Sequence, residues 1–449
     1  MKVATEHSNR PVGYVSLIRL NPNYRSLWFG EIISLFGDWF NLIASAALIS
    51  HLTGSGLAVG ALFVIRMLAP FLVSPIAGVF ADRYNRKRLL IALDLSRAII
   101  VLGFLFVRDV NQVWLLYALT ALQLGISGFF YPARNALLPD IVSRNELGTA
   151  NALSSGTWSV MLALGAAVGG IVAGQWGIYP AFIIDSLTFL LSAFFINQIR
   201  YQIGSSTTQS KSSFRTAHRQ YIYGLRYMTS HKNVLVIALH KGATALIVGG
   251  AFQVITVILA EQQYPIGEGG GTSLGILYAI AGVGTGIGPI FLRRFTGDRN
   301  NPLQIALAMS YAIMALGLII TAPLLGFWLV LIGSFFRAFG GGVNWVFSTQ
   351  LLLQTVSDDV RGRVFSTEFA IFTLASAIGA AACGWLVDNT SITISAMIWM
   401  MAGFILIPGA LWTTWIIRRW VSPSSTSEVE HQTLTSTGNQ AQGYIDTTK

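Results

Sequence analysis

The sequence predicts an all-α integral membrane protein with twelve transmembrane helices in two six-helix pseudo-repeats. Three observations predict it. Only 11% of the 449 residues are Asp, Glu, Lys or Arg, while 53% are hydrophobic and mean hydropathy is +0.60. An average soluble protein carries roughly a quarter charged residues. Twelve runs are long enough to cross a bilayer, which takes about 20 mostly apolar residues. Finally, the basic residues sit almost entirely on one side of those runs.

The runs span about 26–50, 57–81, 88–107, 113–139, 150–174, 178–197, 233–260, 272–293, 303–323, 326–353, 364–387 and 392–417. Helix is the expected form, since a membrane β-barrel would show alternating segments of about ten residues. Of the 29 Lys and Arg, 23 fall before the first run, after the last, or in alternate connections between them. The opposite side receives only Arg108, and five lie within runs. The positive-inside rule then places both termini in the cytoplasm, and the expected location is the inner, or plasma, membrane. The same asymmetry accounts for the net charge of +10 without a nucleic-acid partner. Trp28, Trp114, Trp176, Trp328 and Trp415 fall near run ends, where interfacial anchors belong. Cys383 is the single cysteine, so no internal disulfide or cysteine-rich metal site is possible. Residues 1–25 show no cleavable secretory signal.

The expected organisation is a cytoplasmic N-terminus (1–25), a first half (26–197), a Ser/Thr-rich cytoplasmic loop (198–232), a second half (233–417) and a disordered cytoplasmic tail (418–449). A duplicated transporter should keep weak internal symmetry. Residues 128–170 moved by 214 positions onto 342–384 give 11 identities in 43 pairs. Gly165 and Gly170, for example, recur as Gly379 and Gly384.

Two motifs stand out. Between the second and third runs, Gly78, Asp82, Arg83, Arg86, Lys87 and Arg88 form G-x-x-x-D-R-x-x-R-K-R. A sharp helix–loop–helix held at the inner face by its basic run fits this pattern. In the fifth run Gly156, Gly165, Gly169, Gly170 and Gly174 make a glycine stripe, which would let another helix pack closely.

The first motif, at this place in a twelve-span plan, resembles the signature loop of the major facilitator superfamily. The resemblance implies a cytoplasmic conformational latch at Gly78, Asp82, Arg83 and Arg86. The equivalent after the eighth run, Gly288 to Arg294, lacks the acid. The glycine stripe is similar to the antiporter motif of that family's exporters, with Gly170 in place of a proline and Ala173 in place of a glycine. That likeness implies export. Stretches at Leu27–Phe40, Tyr131–Val142 and Pro180–Ser186 resemble the branch containing macrolide-efflux proteins and the enterobactin exporter.

Ionisable groups at membrane depth cost roughly 2.5–3.5 kcal/mol each on insertion scales, so they are candidate functional groups. Asp38 and Arg66 lie at similar depth on adjacent runs and are expected to pair, structurally or around a proton-carrying Asp38. Asp94 and Arg97 share a helix face at i,i+3, which favours a structural or gating pair. Arg134 is a candidate partner for Asp82 or Asp94. Asp185, Arg337 and Glu368 complete the set, and Arg337 would suit an anionic substrate or a carboxylate partner. Glu31 and Lys241 are placed within snorkelling reach of an interface.

No lysine follows a glycine and no H-E-x-x-H occurs, so neither a phosphate loop nor a zincin site is present. The expectation is therefore a non-enzymatic, monomeric secondary transporter in a lipid bilayer, exporting amphipathic small molecules (drug, macrolide-like or siderophore) by alternating access. It needs no cofactor and is driven by protons. A lysophospholipid or other lipid transporter is the alternative, and a non-transporting receptor or membrane enzyme a remote one.

Overall fold

A computed structural model describes residues 13–200, 222–223, 225–297 and 299–421. Most of the Ser/Thr-rich central loop, and residues 422–449 of the tail expected to be disordered, lie outside the described residues; residues 418–421 continue the last helix. The chain is all-helical there, with twelve helices long and apolar enough to cross a membrane. In order they are span 1 (Pro22–Thr53), span 2 (Gly56–Val73), span 3 (Arg86–Phe106), span 4 (Val110–Ile141), span 5 (Asn145–Trp176) and span 6 (Ile178–Asn197). The second set is span 7 (Lys232–Gln263), span 8 (Glu268–Thr296), span 9 (Asn300–Thr321), span 10 (Phe327–Thr355), span 11 (Val360–Asn389) and span 12 (Ile394–Arg419).

Local chemistry sets the sharp starts. Asn21 accepts a hydrogen bond from the Tyr24 amide just before Pro22, which suits the first helical turn. Asn85 caps the helix of span 3, and Ser143 with Glu146 forms a capping box before span 5. Span 7 departs from regular α-helix in one π-helical turn at Ala245–Gly249 and another at Leu259–Gln263.

Span 1 packs on spans 5 and 6, span 2 on span 4, and span 3 on spans 4 and 6. In the second set, span 7 packs on spans 10 and 11, span 8 on span 10, and span 9 on spans 10 and 12. Spans 5 and 8 meet across the two sets, as do spans 2 and 11. The repeated glycines make both seams. A Cβ on Gly170 would lie 2.4 Å from Gly275 Cα, and one on Gly384 would lie 2.5 Å from the Gly56 carbonyl oxygen. Only glycine admits helix axes this close.

These seams lie toward the face of the bundle opposite the termini, the far face. There one shared apolar core joins both sets, from Ile43 and Phe182 to Ile255 and Leu318. Toward the terminal face the core divides. Tyr24, Leu90 and Leu137 belong to one cluster, and Leu307, Phe347 and Trp412 to another. Gly156 of span 5 and Gly286 of span 8 would meet nothing within 4 Å if they carried a Cβ. The two sets are thus joined at the far face and parted toward the termini.

Candidate functional site

The charges of the first six spans converge near mid-depth, and they are held very differently. Asp94 on span 3 ion-pairs with Arg97 one turn later, and its second oxygen accepts from Ser192 Oγ of span 6 at 2.7 Å. Arg97 also donates to Ser127 Oγ at 3.3 Å and is sandwiched by the Phe130 and Phe189 rings, 4.7 and 4.2 Å from their centroids. Both residues are essentially inaccessible. A buried, doubly bonded pair of this kind is fixed in place.

Asp38 is not. The sequence pairs it with Arg66, yet no ion pair joins them among the described residues. The charges that act on Asp38 are Arg97 and Arg66, opposed by Asp94. The physical reason is that span 2 leans on spans 4 and 11 more than on span 1, which leaves the two side chains facing each other across space. Asp185 on span 6 is fully buried against Gly37, where a Cβ would come within 2.3 Å of its Oδ1. Neither of its oxygens has a hydrogen-bond partner, and the Asn41 amide lies beside it without bonding geometry.

The last six spans contribute one charge at this depth. Arg337 on span 10 lies over the Phe252 ring, 4.0 Å from the centroid, one turn beyond the π-helical stretch of span 7. Its Nε is buried without a partner. Arg66 and Arg337 both act electrostatically on Tyr278 of span 8, which packs against Trp39 at 5.7 Å and whose buried hydroxyl also lacks a partner.

Nearer the terminal face the structure corrects three expectations. Arg134 pairs with Glu31 of span 1 at 3.1 Å and also bonds Ser154 of span 5; Asp94 is already taken by Arg97. Lys241 does not snorkel: it is 5% exposed and ion-pairs with Glu368 at 3.0 Å, donates to Thr349 Oγ1 at 2.7 Å and rests over Trp345. Glu31 is likewise inside the bundle. Both lie nine residues into helices that begin earlier than the hydropathy runs, at Pro22 and Lys232. The signal that could have found them is the internal repeat, because Ser154 and Glu368 are 214 positions apart, as are Asn135 and Thr349.

In the connection between spans 2 and 3, Arg86 pairs with Asp140 at 2.5 Å and donates to the Ala136 carbonyl, while Lys87 donates to the Asn197 carbonyl at 2.7 Å. Arg88 is exposed. The surroundings of Gly78, Asp82 and Arg83 lie outside the described residues. In the glycine stripe, Gly165 and Gly169 accommodate Trp39 and Phe40 of span 1, Gly170 and Gly174 accommodate span 8, and Gly156 meets nothing. Among the described residues no group of three or more His, Cys, Asp or Glu is placed to hold a metal ion.

The arrangement has known counterparts. The chain is 26% identical over 410 residues to an uncharacterized MFS-type transporter, YfiS, of Bacillus subtilis (strain 168), covering 88% of this chain and 94% of that one. It is 26% identical over 361 residues to the putative bacilysin exporter BacE of Bacillus subtilis, covering 80% and 88%. It is 28% identical over 326 residues to the multidrug resistance protein MdtG of Rahnella sp. (strain Y9602), covering 68% and 71%. Among solved structures, the nucleoside transporter NupG superposes with a TM-score of 0.67 at 13% identity, over 88% of this chain and 98% of its own. A bacterial homologue of the iron transporter ferroportin, in an inward-facing state, gives 0.65 at 15% identity over 89% and 99%. At such identities these structural likenesses show the fold. The Major Facilitator Superfamily model matches residues 27–325, and with twelve helices joined and parted in this way the chain belongs to that superfamily of transporters.

Proposed function

We propose that the protein is a proton-driven exporter of amphipathic small molecules, working as a monomer by alternating access. The positive-inside distribution puts the termini in the cytoplasm, so the parted end of the bundle faces inward and is the side from which cargo is loaded. One observation carries the coupling: Asp38 is a mid-depth carboxylate without an ion pair, facing Arg66 and Arg97, while its neighbour Asp94 is locked. A carboxylate so placed can change protonation without dismantling the fold. Gaining a proton removes its pull on Arg66, across the boundary between spans 1 and 2, and so alters the charge seen by cargo. The exporter and multidrug relatives support the direction of transport.

The test is uptake into inverted vesicles with an acidified lumen, using a panel of macrolides, catecholate siderophores and lysophospholipids. Lumenal accumulation of at least one macrolide or siderophore, abolished by an uncoupler, is expected. Asp38→Asn should lose that accumulation while still exchanging labelled cargo down its own gradient. Normal gradient-driven accumulation by Asp38→Asn would remove Asp38 from the mechanism. Movement of lysophospholipid alone, indifferent to the proton gradient, would replace the whole reading by lipid transport.

A further inference from the structure

Among the described residues the buried cations have polar partners, while two half-buried ones at mid-depth, Arg337 and Arg66, have none. Arg97 has Asp94, Ser127 and two rings; Arg134 has Glu31, Ser154 and Asn135; Lys241 has Glu368, Thr349 and Trp345. Each therefore recovers part of the cost of leaving water. Arg337 has the Phe252 ring beneath it and no hydrogen-bond acceptor among the described residues. The unpartnered Tyr278 hydroxyl lies within the electrostatic reach of both Arg337 and Arg66, and Arg66 forms neither an ion pair nor a hydrogen bond among the described residues. A guanidinium fork has five N–H donors and accepts nothing, so what this place lacks is an acceptor.

We propose that Arg337, Tyr278 and Arg66 form a docking point for an oxyanion on the transported molecule, a carboxylate or a phosphate, so that the cargo carries an anionic group beside its apolar body. A carboxylate or phosphate matches the guanidinium fork in geometry as well as charge. Trp39 and Phe252 supply the adjoining aromatic surface for the apolar part. Asp38 is already set against Arg66, which makes Arg337 the uncompensated charge. The two arginines also come from opposite sets of helices, Arg66 from span 2 and Arg337 from span 10. An oxyanion bridging them is held only while the sets stand in the right relation, so its affinity differs between conformations as alternating access requires.

This inference rests on the transport reading, and equilibrium binding without any gradient tests it separately from proton coupling. The probes share one apolar body: 1-naphthaleneacetate, 1-naphthyl phosphate, the neutral 1-naphthaleneacetamide and the cationic 1-naphthylmethylamine. Binding to the full chain in nanodiscs is followed by probe fluorescence. At least one of the two anions should bind on the order of tenfold more tightly than the amide, the loss of one charge-assisted contact. Which anion binds more tightly tells carboxylate from phosphate. Arg337→Gln should erase the preference and Arg337→Lys retain part of it. Tyr278→Phe, which removes a single oxygen, should weaken anion binding with the amide unaffected. Equal binding of amide and anions, tighter binding of the amine, saturable binding of neither anion, or an anion preference that survives Arg337→Gln would each overturn the proposal. Loss of coupling in Asp38→Asn with the anion preference intact would leave it standing.

Discussion

The two halves of the molecule handle charge differently at one depth and alike at another. At mid-depth the first half holds Asp38, Arg66, Asp94, Arg97 and Asp185, while the second holds Arg337 alone among the sequence candidates at that level. Nearer the terminal face each half has one bonded cluster on equivalent helices. Glu31, Arg134 and Ser154 join spans 1, 4 and 5; Lys241, Thr349 and Glu368 join spans 7, 10 and 11. The roles are permuted, because the first helix carries the acid in one half and the base in the other. What duplication kept is a three-helix bond, whatever residue supplies each pole, and that is the mark of structural work. Where the halves no longer match is where the chemistry of transport is expected. The proposed proton handling then falls to the first half, and the proposed docking of the cargo's anion draws on Arg337 of the second.

The comparison breaks first at the clusters. Lys241→Met leaves Glu368, 3% exposed, as a buried unpaired acid, which should lower stability by about 3–5 kcal/mol. Lys241→Met with Glu368→Leu should regain most of that, since removing both members of a buried pair is often nearly neutral. Thermal unfolding of the purified protein, read beside transport by the double variant, decides the point. A stable Lys241→Met that fails to transport, or a stable double variant that fails, would make the cluster part of the mechanism and dissolve the distinction drawn here. Arg134→Met and its double with Glu31→Leu should behave in the same way with a smaller loss, because Glu31 is partly exposed.

What the sequence can reveal follows from how far apart the interacting residues are. All twelve spans are legible because hydropathy over about 20 residues is a local property. Asp94 with Arg97 is legible because three residues along a helix fix a shared face. Arg134 with Glu31 is separated by 103 positions, and no local rule reaches that far. Glu31 and Lys241 look interfacial only when depth is counted from the apolar run. The helix of span 1 starts four residues earlier, at the Asn21 cap that hydropathy does not register, and that of span 7 one residue earlier. Asp38 and Arg66 share a depth, and depth says nothing of the lateral direction in which a helix leans.

The seams between the halves offer the next test. Gly170→Leu inserts a side chain where spans 5 and 8 meet backbone to backbone, and Gly384→Leu does so where spans 2 and 11 meet. Each should disfavour closure of the far face by about 1–3 kcal/mol, the usual penalty of overpacking. Spin labels at Trp114 and Leu325, exposed in opposite halves on that face, should report a longer distance in both variants. If only one variant lengthens it, the two seams are not equivalent hinges and the symmetry ends at mid-depth.

The seams already differ in one respect. Asp388, at the end of span 11, accepts from Ser55 Oγ at 2.5 Å and from the Gly56 and Leu57 amides at 2.7 and 3.0 Å. A carboxylate from one half therefore caps the helix that begins span 2 in the other, where free amides and the helix dipole favour negative charge. The position 214 residues earlier is Gly174, which meets Thr272 at the start of span 8 without any charge. Losing such a cap is worth about 1 kcal/mol, roughly a fivefold change in population. Asp388→Ala should thus lengthen the Trp114–Leu325 distance in a fraction of molecules. Asp388→Asn, which keeps one acceptor oxygen, should do so less. High salt should weaken the wild-type clasp toward the alanine level, because the group is exposed. An unchanged distance distribution in Asp388→Ala would mean that close packing at Gly60 and Gly384 holds this seam by itself, as Gly170 and Gly275 hold the other.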